Sequence, residues 1–425
     1  FVLLFINLSV LLFTHPKPII LLHHLLFGVP GIANDIIPVR ISRSSDCSQD
    51  VRTDYRKAQN EFHTEFYNNV AAQSDNHFVY SPYPIWLTLS ALTEGADPAI
   101  QSQLFAKLLL PQDACLRKSF YDIAIRIELP ANDVTIANRR ILVLDEGSRL
   151  NPAWHELVNT TGLIDLYFAP ISEDPVALAR IFQTYFSGAL FSTDGSSIVL
   201  NSFDYRGLWT TGFTSTTEEP FYNDLQQQVG TVKMMRMKKR VRLAHLPFLN
   251  SKVLELPVGT DGRYTMLITV SLGRSFLKNS LGIFMSSIVK IFSLLQMSFV
   301  PIDIAIPQFA MSTEYDARPF LEEMGFGDYT NNPDATSYIS SPPALPSSII
   351  QRVSIHIDPD GLTKAPVLSD EGFISGAFRV GFNTATGVAA AVGRDFIANK
   401  PFMYTLFDTQ TNTCIFAGAY SQPNA

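Results

Sequence analysis

The stretch FIANKPFMY, residues 396–404, decides the fold together with three stretches upstream of it. In chain order these are VYSP at 79–82, NSFDYRGLW at 201–209 and VLELP at 253–257. They are spread over most of the chain, and no internal repeat or linker of different composition separates them. We therefore predict a single large domain over residues 50–425.

The composition predicts a large folded core. The chain has 425 residues, of which 46% are apolar, 17% charged and 12% aromatic. Such a chain buries enough apolar surface to exclude intrinsic disorder, and its low charge content excludes a coiled coil. The 39 acidic and 32 basic side chains give a net charge of −7, which excludes nucleic acid as the main partner.

Apolar spacing predicts helices in the first half of the chain and strands in the second. Phe62, Phe66 and Val70 recur on one face of a predicted helix, and the segment 134–143 is a β-branched strand candidate. After Ser197 short strand candidates dominate. They are residues 198–201, 241–244, 253–257, 264–270, 302–306 and 349–357. This order predicts an α+β fold rather than alternating βαβ units.

Residues 1–33 are predicted to be a secretory signal. Two apolar runs, 2–13 and 19–29, are separated by prolines and followed by the small-x-small triplet 31–33. The pattern predicts cleavage after this triplet, an N-terminal extension at 34–49 and secretion to the extracellular space. The alternative is a kinked membrane anchor, which is disfavoured because neither run reaches the ~20 residues of a spanning helix.

Secretion would place the chain in an oxidising compartment that allows glycosylation and disulfides. The sequon Asn159-Thr160-Thr161 predicts an N-linked glycan on Asn159. Cys47, Cys115 and Cys414 allow at most one disulfide and leave its pairing open.

The sequence contains no recognisable catalytic or metal-binding constellation. It has no G-x-S-x-G, H-E-x-x-H, Walker or G-x-G-x-x-G motif, and its eight histidines and three cysteines lack zinc-ligand spacing. Adjacent carboxylates such as Glu218-Glu219 and Glu322-Glu323 are typical of a solvated surface. We therefore predict that the protein is not an enzyme and holds no metal or cofactor.

One cluster of positive charge is prominent. It consists of Lys233, Arg236, Lys238, Lys239, Arg240 and Arg242. These residues are interleaved with Met234, Met235 and Met237, which is typical of a strand edge or turn whose charged side faces water. The alternative is a binding site for a polyanion, either an anionic polysaccharide or a membrane surface.

The four quoted stretches, taken in chain order from 79–82 to 396–404, closely resemble the signature segments of the serpins. The stretch 396–404 is similar to the family's C-terminal signature, 201–209 to a strand of its central sheet, and 79–82 to the start of a buried helix. The resemblance implies helices packed on a large central mixed β-sheet, further smaller sheets and a long exposed loop at about 362–395. We also expect a monomer.

The resemblance further implies a mechanical action on serine proteases. In inhibitory serpins a protease cuts the exposed loop and remains acylated, and the freed loop inserts into the central sheet as a new strand. Because successive strand residues face opposite sides, every second hinge residue enters the buried face and each needs a free N–H. By this resemblance the hinge begins at Pro359-Asp360-Gly361.

The hinge departs from the small-residue pattern of the inhibitory members. With Gly361 in its place, Leu362, Lys364, Pro366 and Leu368 face the interior of the sheet. An unpaired ammonium there costs on the order of several kcal/mol. Proline removes a ladder hydrogen bond and is disfavoured in a central strand. Insertion is therefore predicted to be slow or blocked.

The predicted loop is also long. Gly361 and Pro401 are 40 positions apart, more than inhibitory serpins use, so a cut leaves a slack tether. Arg379 and Arg394 are the candidate residues before the cut, since arginine fits the acidic pocket of trypsin-like proteases. A competing hinge at 387–391 has smaller residues but leaves too short a loop before Pro401.

The resemblance places a polar cluster beneath the sheet opening, and here this cluster is altered. Ser81 and Asn201 match it, whereas Gln351 stands where histidine is usual and Pro84 replaces a serine. The cluster is expected to be partly formed.

These observations predict a secreted serpin-fold protein that does not trap proteases and acts by binding. Its expected partner is a serine protease or another extracellular protein. The alternative is a suicide-substrate inhibitor of trypsin-like serine proteases that uses an arginine of the loop.

Overall fold

A computed structural model describes residues 49–423 with seven gaps, at 75, 130–132, 172–179, 183–185, 187–194, 274–276 and 364–394. By its contacts the chain divides into Phe1–Pro38 and Val39–Ala425, and every described residue belongs to the second unit. The predicted signal segment lies outside the described residues.

Four of the described helices precede the first long strand, a fifth follows that strand, and four more come later in the chain. They are α1 Arg52–Gln73, α2 Pro82–Glu94, α3 Pro98–Lys107, α4 Ala114–Ile127, α5 Pro152–Thr161, α6 Leu277–Ser286, α7 Ile288–Leu294, α8 Arg318–Glu323 and α9 Asp328–Asn331, with short 3₁₀ turns at Pro247–Leu249 and Pro333–Ala335. As predicted, Phe62, Phe66 and Val70 are buried on α1. Local signals set the helix ends: Asn151 caps α5 by accepting a hydrogen bond from the Ala153 N–H.

Nineteen strands are described. They are β1 Phe78–Tyr80, β2 Val134–Asp145, β3 Arg149–Leu150, β4 Asp165–Ala169, β5 Ser197–Leu208, β6 Ser215–Tyr222, β7 Gln228–Lys239, β8 Arg242–Leu246, β9 Ser251–Val258, β10 Tyr264–Ser271, β11 Gln296–Met297, β12 Ile302–Pro307, β13 Phe309–Asp316, β14 Ser340–Ser341, β15 Pro346–Ile357, β16 Gly361–Thr363, β17 Phe396–Ile397, β18 Phe402–Asp408 and β19 Thr413–Tyr420. Each predicted strand segment lies within or overlaps one of them.

A six-stranded mixed sheet carries the hinge. Its order is β13-β15-β16-β5-β2-β4. The β15–β5 and β2–β4 pairs are parallel, while β13–β15, β2–β5 and both pairings of β16 are antiparallel. This is the large central mixed sheet that the sequence predicted.

Three further sheets complete the described architecture. A seven-stranded sheet has the order β1-β19-β18-β10-β9-β8-β11, a four-stranded sheet the order β17-β12-β7-β6, and β14 pairs with β3. The stretch that decides the fold therefore contributes to two sheets, because β17 joins the four-stranded sheet and β18 lies inside the seven-stranded one.

The core lies around α2, which contacts β2, β5 and β19. Residues 82–93 of this helix are all buried, as expected for a helix enclosed on every side rather than lying on a surface. The strands β10, β18 and β19 are buried along their whole length. The N-terminal helices and the C-terminal strands thus share one core.

Candidate functional site

The site begins where β5 and β15 part. The two strands pair in parallel up to Ser354 and Asp204. Beyond that point β16 lies between them, with Leu362 opposite Ile357 of β15 and opposite Gly207 of β5. The first residues of the predicted loop are thus already a short strand of the sheet. Leu362 and Thr363, at the start of the loop predicted over about 362–395, belong to β16.

Glycine is required at the entry to this strand. A Cβ atom on Gly361 would lie 2.3 Å from the Gly207 carbonyl oxygen and 2.7 Å from the Leu208 Cα atom. The side chain of Leu362 is 1% exposed, so it faces the buried side of the sheet, while Thr363 is partly exposed. The close backbone approach at Gly361 and the burial of Leu362 therefore fix the start of the hinge in the sheet.

A polar cluster on the outer face holds the turn before β16. Asp358 Oδ1 accepts hydrogen bonds from the N–H groups of Asp360 at 2.9 Å and Gly361 at 3.1 Å. The Thr363 hydroxyl donates to Asp358 Oδ2 at 2.7 Å and lies 2.6 Å from His356 Nδ1. Since the hydroxyl proton goes to the carboxylate, the imidazole donates to the threonine oxygen.

Trp209, the residue directly after β5, fixes the same turn. Its backbone N–H donates to the Asp360 carbonyl and its indole Nε1–H to the Asp358 carbonyl, each at 2.9 Å. The Phe213 N–H donates to the Pro359 carbonyl at 3.0 Å. Sequence reasoning identified the NSFDYRGLW stretch but missed this role, because its partners are about 150 residues away in sequence.

The altered polar cluster lies beneath the sheet opening in two parts. Gln351 is fully buried, and its amide oxygen accepts from the Ser81 N–H at 2.9 Å and from the Tyr315 hydroxyl at 2.5 Å. Its amide nitrogen donates to the Ser81 carbonyl at 2.7 Å. Asn201 instead accepts from Thr88 at 2.9 Å, and its amide nitrogen has no hydrogen-bond partner in the described part of the chain.

Glutamine thus links β15 to the start of α2 without a titratable group. Gln351 and Asn201 are opposite each other in the β15–β5 register. Strand separation at this level would disturb the side chains that tie the sheet to the buried helix. Pro84 lies in the first turn of α2, where proline is tolerated.

Four cations of the basic cluster lie on β7, which is an interior strand rather than the predicted edge, while Arg240 lies between β7 and β8 and Arg242 begins β8. Strand β7 lies between β12 and β6 in the four-stranded sheet. The buried methionines lie on both faces, because Met234 and Met235 are adjacent residues of one strand. Alternation therefore puts Arg236 and Lys238 on the face of Met234, and Lys233 and Lys239 on the opposite face. Three of the six are ion-paired: Arg236 with Glu219 at 2.6 Å, Lys238 with Asp303 at 3.3 Å and Arg242 with Glu255 at 2.7 Å.

Other candidate residues are placed as follows. Asn159 is exposed in the last turn of α5. Cys115 is disulfide-bonded, and Cys414 is a buried free thiol whose pKa is raised by that burial. Cys47, Lys364, Pro366, Leu368, Arg379, Arg394 and the competing hinge 387–391 lie outside the described residues.

No metal-binding group is found among the described residues, where no three His, Cys, Asp or Glu side chains converge. None of the described helices has the length and apolar composition needed to cross a bilayer.

The family model for serpins, described as serine protease inhibitors, matches residues 57–423. The chain belongs to the serpin family. Curated serpin relatives include the FXa-directed anticoagulant of Aedes aegypti, 22% identical over 85% of this chain and 86% of that protein, and Serpin I2 of Homo sapiens, 22% identical over 90% and 93%. The match to Serpin B5 of Xenopus tropicalis, 23% identical, spans 57% of this chain and 62% of that protein.

Solved serpin structures confirm the predicted fold. Human thyroxine-binding globulin superposes with a TM-score of 0.72 at 15% identity, covering 88% of this chain and all of that one. Serpin48 of Tenebrio molitor gives 0.71 at 17% identity over 89% of this chain and all of that one, and uncleaved ovalbumin gives 0.68 at 20% identity over 86% and 99%. At these identities the likeness establishes architecture alone.

Proposed function

We propose that this serpin does not trap proteases and acts instead by binding an extracellular partner. The observation that carries the proposal is the register of β16, which sets where each following residue would lie if the cut loop inserted. Proteins named for action on another protein and proteins named for binding a ligand both occur among the similar chains. One is called an FXa-directed anticoagulant and another thyroxine-binding globulin.

Extension of β16 in its own register puts Lys364 at the level of Ile355 in β15 and Tyr205 in β5. Directly paired strand residues share a face, and both of these side chains are fully buried. The Tyr205 hydroxyl has no hydrogen-bond partner in the described chain. One neutral hydroxyl cannot replace the hydration of an ammonium, so insertion costs on the order of several kcal/mol.

The same register puts Pro366 between Val353 and Phe203, at 0% and 1% exposure. Proline has no N–H to give to either neighbour, and its ring resists a central-strand position. By analogy with a helix interior the penalty is about 3 kcal/mol. Leu368 would then reach Gln351 and Asn201, where an apolar side chain meets buried polar groups.

These penalties arise while the acylated protease is still attached. Insertion also requires β5 and β15 to break their parallel pairing, which runs from Ser197 opposite Pro346 to Asp204 opposite Ser354. A slow strand exchange gives the acyl bond time to hydrolyse, and the protease leaves. The protein then behaves as a substrate rather than as a trap.

One observation favours the alternative of a trypsin-like protease inhibitor that uses Arg379 or Arg394. Strand β16 is already seated between β15 and β5, so the first step of insertion is complete before any cut. Under this alternative the two hinge penalties are overcome by the remaining strand bonds. The alternative predicts a covalent complex, which makes the two functions directly separable.

The test mixes the purified chain with a trypsin-like protease and follows the products by denaturing electrophoresis. We expect cleaved protein and free protease, without a covalent band. We also expect the melting temperature of the nicked wild type to stay nearly unchanged. A stable band at the combined mass, or a sharp rise in melting temperature after nicking, would refute the proposal.

A hinge variant makes the test specific. The double change Lys364→Thr with Pro366→Ala restores small residues on the face that enters the sheet, and nicking should then raise the melting temperature sharply. Val367→Thr, one residue along and on the opposite face, is the matched control and should behave like the wild type. An unchanged melting temperature in the double variant would show that these two residues are not the obstacle.

Secretion and glycosylation belong to the same proposal. The predicted signal at 1–33 directs export, and the exposed sequon at Asn159 accepts glycan on the way. Expression of the chain in eukaryotic cells should place it in the medium with a new N-terminus at Asn34. Retention in the membrane fraction with the original N-terminus would support the anchor instead.

A further inference from the structure

Exposed apolar side chains are concentrated in one short segment. The described residues include 15 large apolar side chains that are exposed, and six of these fall between residues 283 and 300. They are Ile283, Val289, Leu294, Met297, Phe299 and Val300, with Phe299 at 96% exposure and Val289 at 62%. Single exposed apolar residues are ordinary, but six of them within one segment of 18 residues indicate an interaction surface.

The fold places cations beside this segment. Strand β11 is the edge of the seven-stranded sheet, and Met297 is opposite Arg242 of β8. The Arg240 Nε–H donates to the Ser298 carbonyl at 2.8 Å, which brings its guanidinium next to Phe299 in the chain. On α7 the Lys290 ammonium lies 4.6 Å from the centre of the Phe248 ring.

The charge balance of this region opposes that of the whole protein. Residues 225–302 contain eleven basic and two acidic side chains, a net charge of +9 in a chain whose total is −7. One of the two acids, Glu255, is paired with Arg242. Lys239, Arg240 and Lys290 form no ion pair with a carboxylate in the described part of the chain. Their charge is therefore available to an outside anion.

We propose that these residues bind the surface of an anionic phospholipid bilayer. The interfacial patch consists of the six exposed apolar residues of 283–300 together with Lys239, Arg240 and Lys290. Phe299, Met297 and their neighbours enter the headgroup region, while the cations contact lipid phosphates and carboxylates, as in amphipathic segments that lie in a membrane surface. The proposal is independent of whether the protein inhibits proteases.

Two other occupants fit the patch less well. A second copy of the chain would bring like charges at Lys239, Arg240 and Lys290 together in a symmetric contact. A sulfated polysaccharide would satisfy the cations but gives no reason for a phenylalanine that is almost completely exposed. Only a surface that is both apolar and anionic uses both components.

The test measures binding of the secreted chain that begins at Asn34 to phosphatidylcholine vesicles with and without phosphatidylserine. We expect binding to the anionic vesicles, weak binding to the neutral ones, and loss of binding at high salt. Phe299→Ser should weaken the binding at least about tenfold, because a whole aromatic side chain no longer leaves water. Arg240→Gln and Lys290→Gln should each weaken it about fivefold.

Matched controls separate the patch from the rest of the chain. Phe168→Ser removes an apolar side chain of 43% exposure on β4, and Arg149→Gln removes an exposed cation on β3; both should leave binding unchanged. Every variant begins at Asn34 and therefore lacks the apolar N-terminal runs, so a difference between variants reports the patch alone. Unchanged melting temperatures confirm that each variant is folded.

Three outcomes would overturn the proposal. Equal vesicle binding by the wild type and Phe299→Ser excludes the patch as the lipid-binding surface. Binding to heparin without binding to anionic vesicles identifies a polysaccharide site. Concentration-dependent association of the wild type, abolished by Phe299→Ser and indifferent to lipid, identifies a contact between copies.

Discussion

Replacement of His63 by phenylalanine should remove much of the acid sensitivity of this fold. His63 lies on α1 at 3% exposure, among the rings of Tyr67, Tyr80 and Phe407 at centroid distances of 6.0 to 6.4 Å. Its Nε2 atom has no hydrogen-bond partner in the described chain. Burial therefore lowers the pKa of His63 from 6.5 to about 3.

The direction of the effect follows from proton binding. Between pH 6.5 and 3 the unfolded chain protonates this imidazole while the folded chain keeps it neutral. The unfolded state then binds more protons, so the free energy of unfolding falls as the pH falls through this window and is fully recovered above pH 6.5. At 1.36 kcal/mol per unit, the contribution lost is about 2 kcal/mol at pH 5 and about 4 kcal/mol at pH 3.

The assay is urea unfolding followed by tryptophan fluorescence at pH 8, 6 and 5, on the wild type and His63→Phe. Taking the difference cancels other titrating groups, among them His77, whose pKa burial lowers to about 4. The wild type should lose about 2 kcal/mol more than the variant between pH 8 and pH 5. His155→Phe, at an exposed position on α5, is the control and should follow the wild type. Parallel pH profiles for the wild type and His63→Phe would refute the reasoning.

Three further predictions concern the hinge, the buried cluster and the surface. Gly361→Ala puts a Cβ atom 2.3 Å from a carbonyl oxygen of β5, so β16 should leave the sheet and proteases should cut nearer the turn. The control is Gly147→Ala, where the nearest atom to the added Cβ is 3.8 Å away. Equal cleavage patterns for the two variants would contradict the assignment of Gly361. Gln351→Leu leaves the buried N–H and carbonyl of Ser81 without hydrogen-bond partners. It should lower the free energy of unfolding by about 2 to 5 kcal/mol in urea titration, whereas an unchanged value would show that water replaces the amide. Asn159→Gln should abolish a mobility shift on glycosidase treatment of secreted protein, and a shift that persists would place the glycan elsewhere.

Local sequence signals predicted the elements well because they depend on neighbouring residues. The spacing of Phe62, Phe66 and Val70 gave the buried face of α1, and the strand candidates after Ser197 fall in described strands. The family resemblance placed Gly361, and strand alternation from it predicted that Leu362 would face the sheet interior, where it is 1% exposed. Such patterns need only the helical and strand periods.

The basic cluster shows where this reasoning failed. Composition could not place β7 inside a sheet, because its neighbour β12 begins more than 60 residues after it. The carboxylates of Glu219, Asp303 and Glu255 come from three different strands. Only the pairing of those strands reveals that half of the cluster is already neutralised.

The sequence by itself determined the buried face of α1, the positions of seven of the nineteen described strands, the family signature, and the Leu-x-Lys-x-Pro order of the hinge. The tertiary structure decided that β16 already lies between β15 and β5, that Trp209 holds the turn at Asp358, and that the apolar segment 283–300 shares a surface with unpaired cations. The physical reason is range. Periodicity acts over two to four residues, whereas these contacts join residues as far apart as Gly207 and Leu362, so they form only when the whole chain has packed.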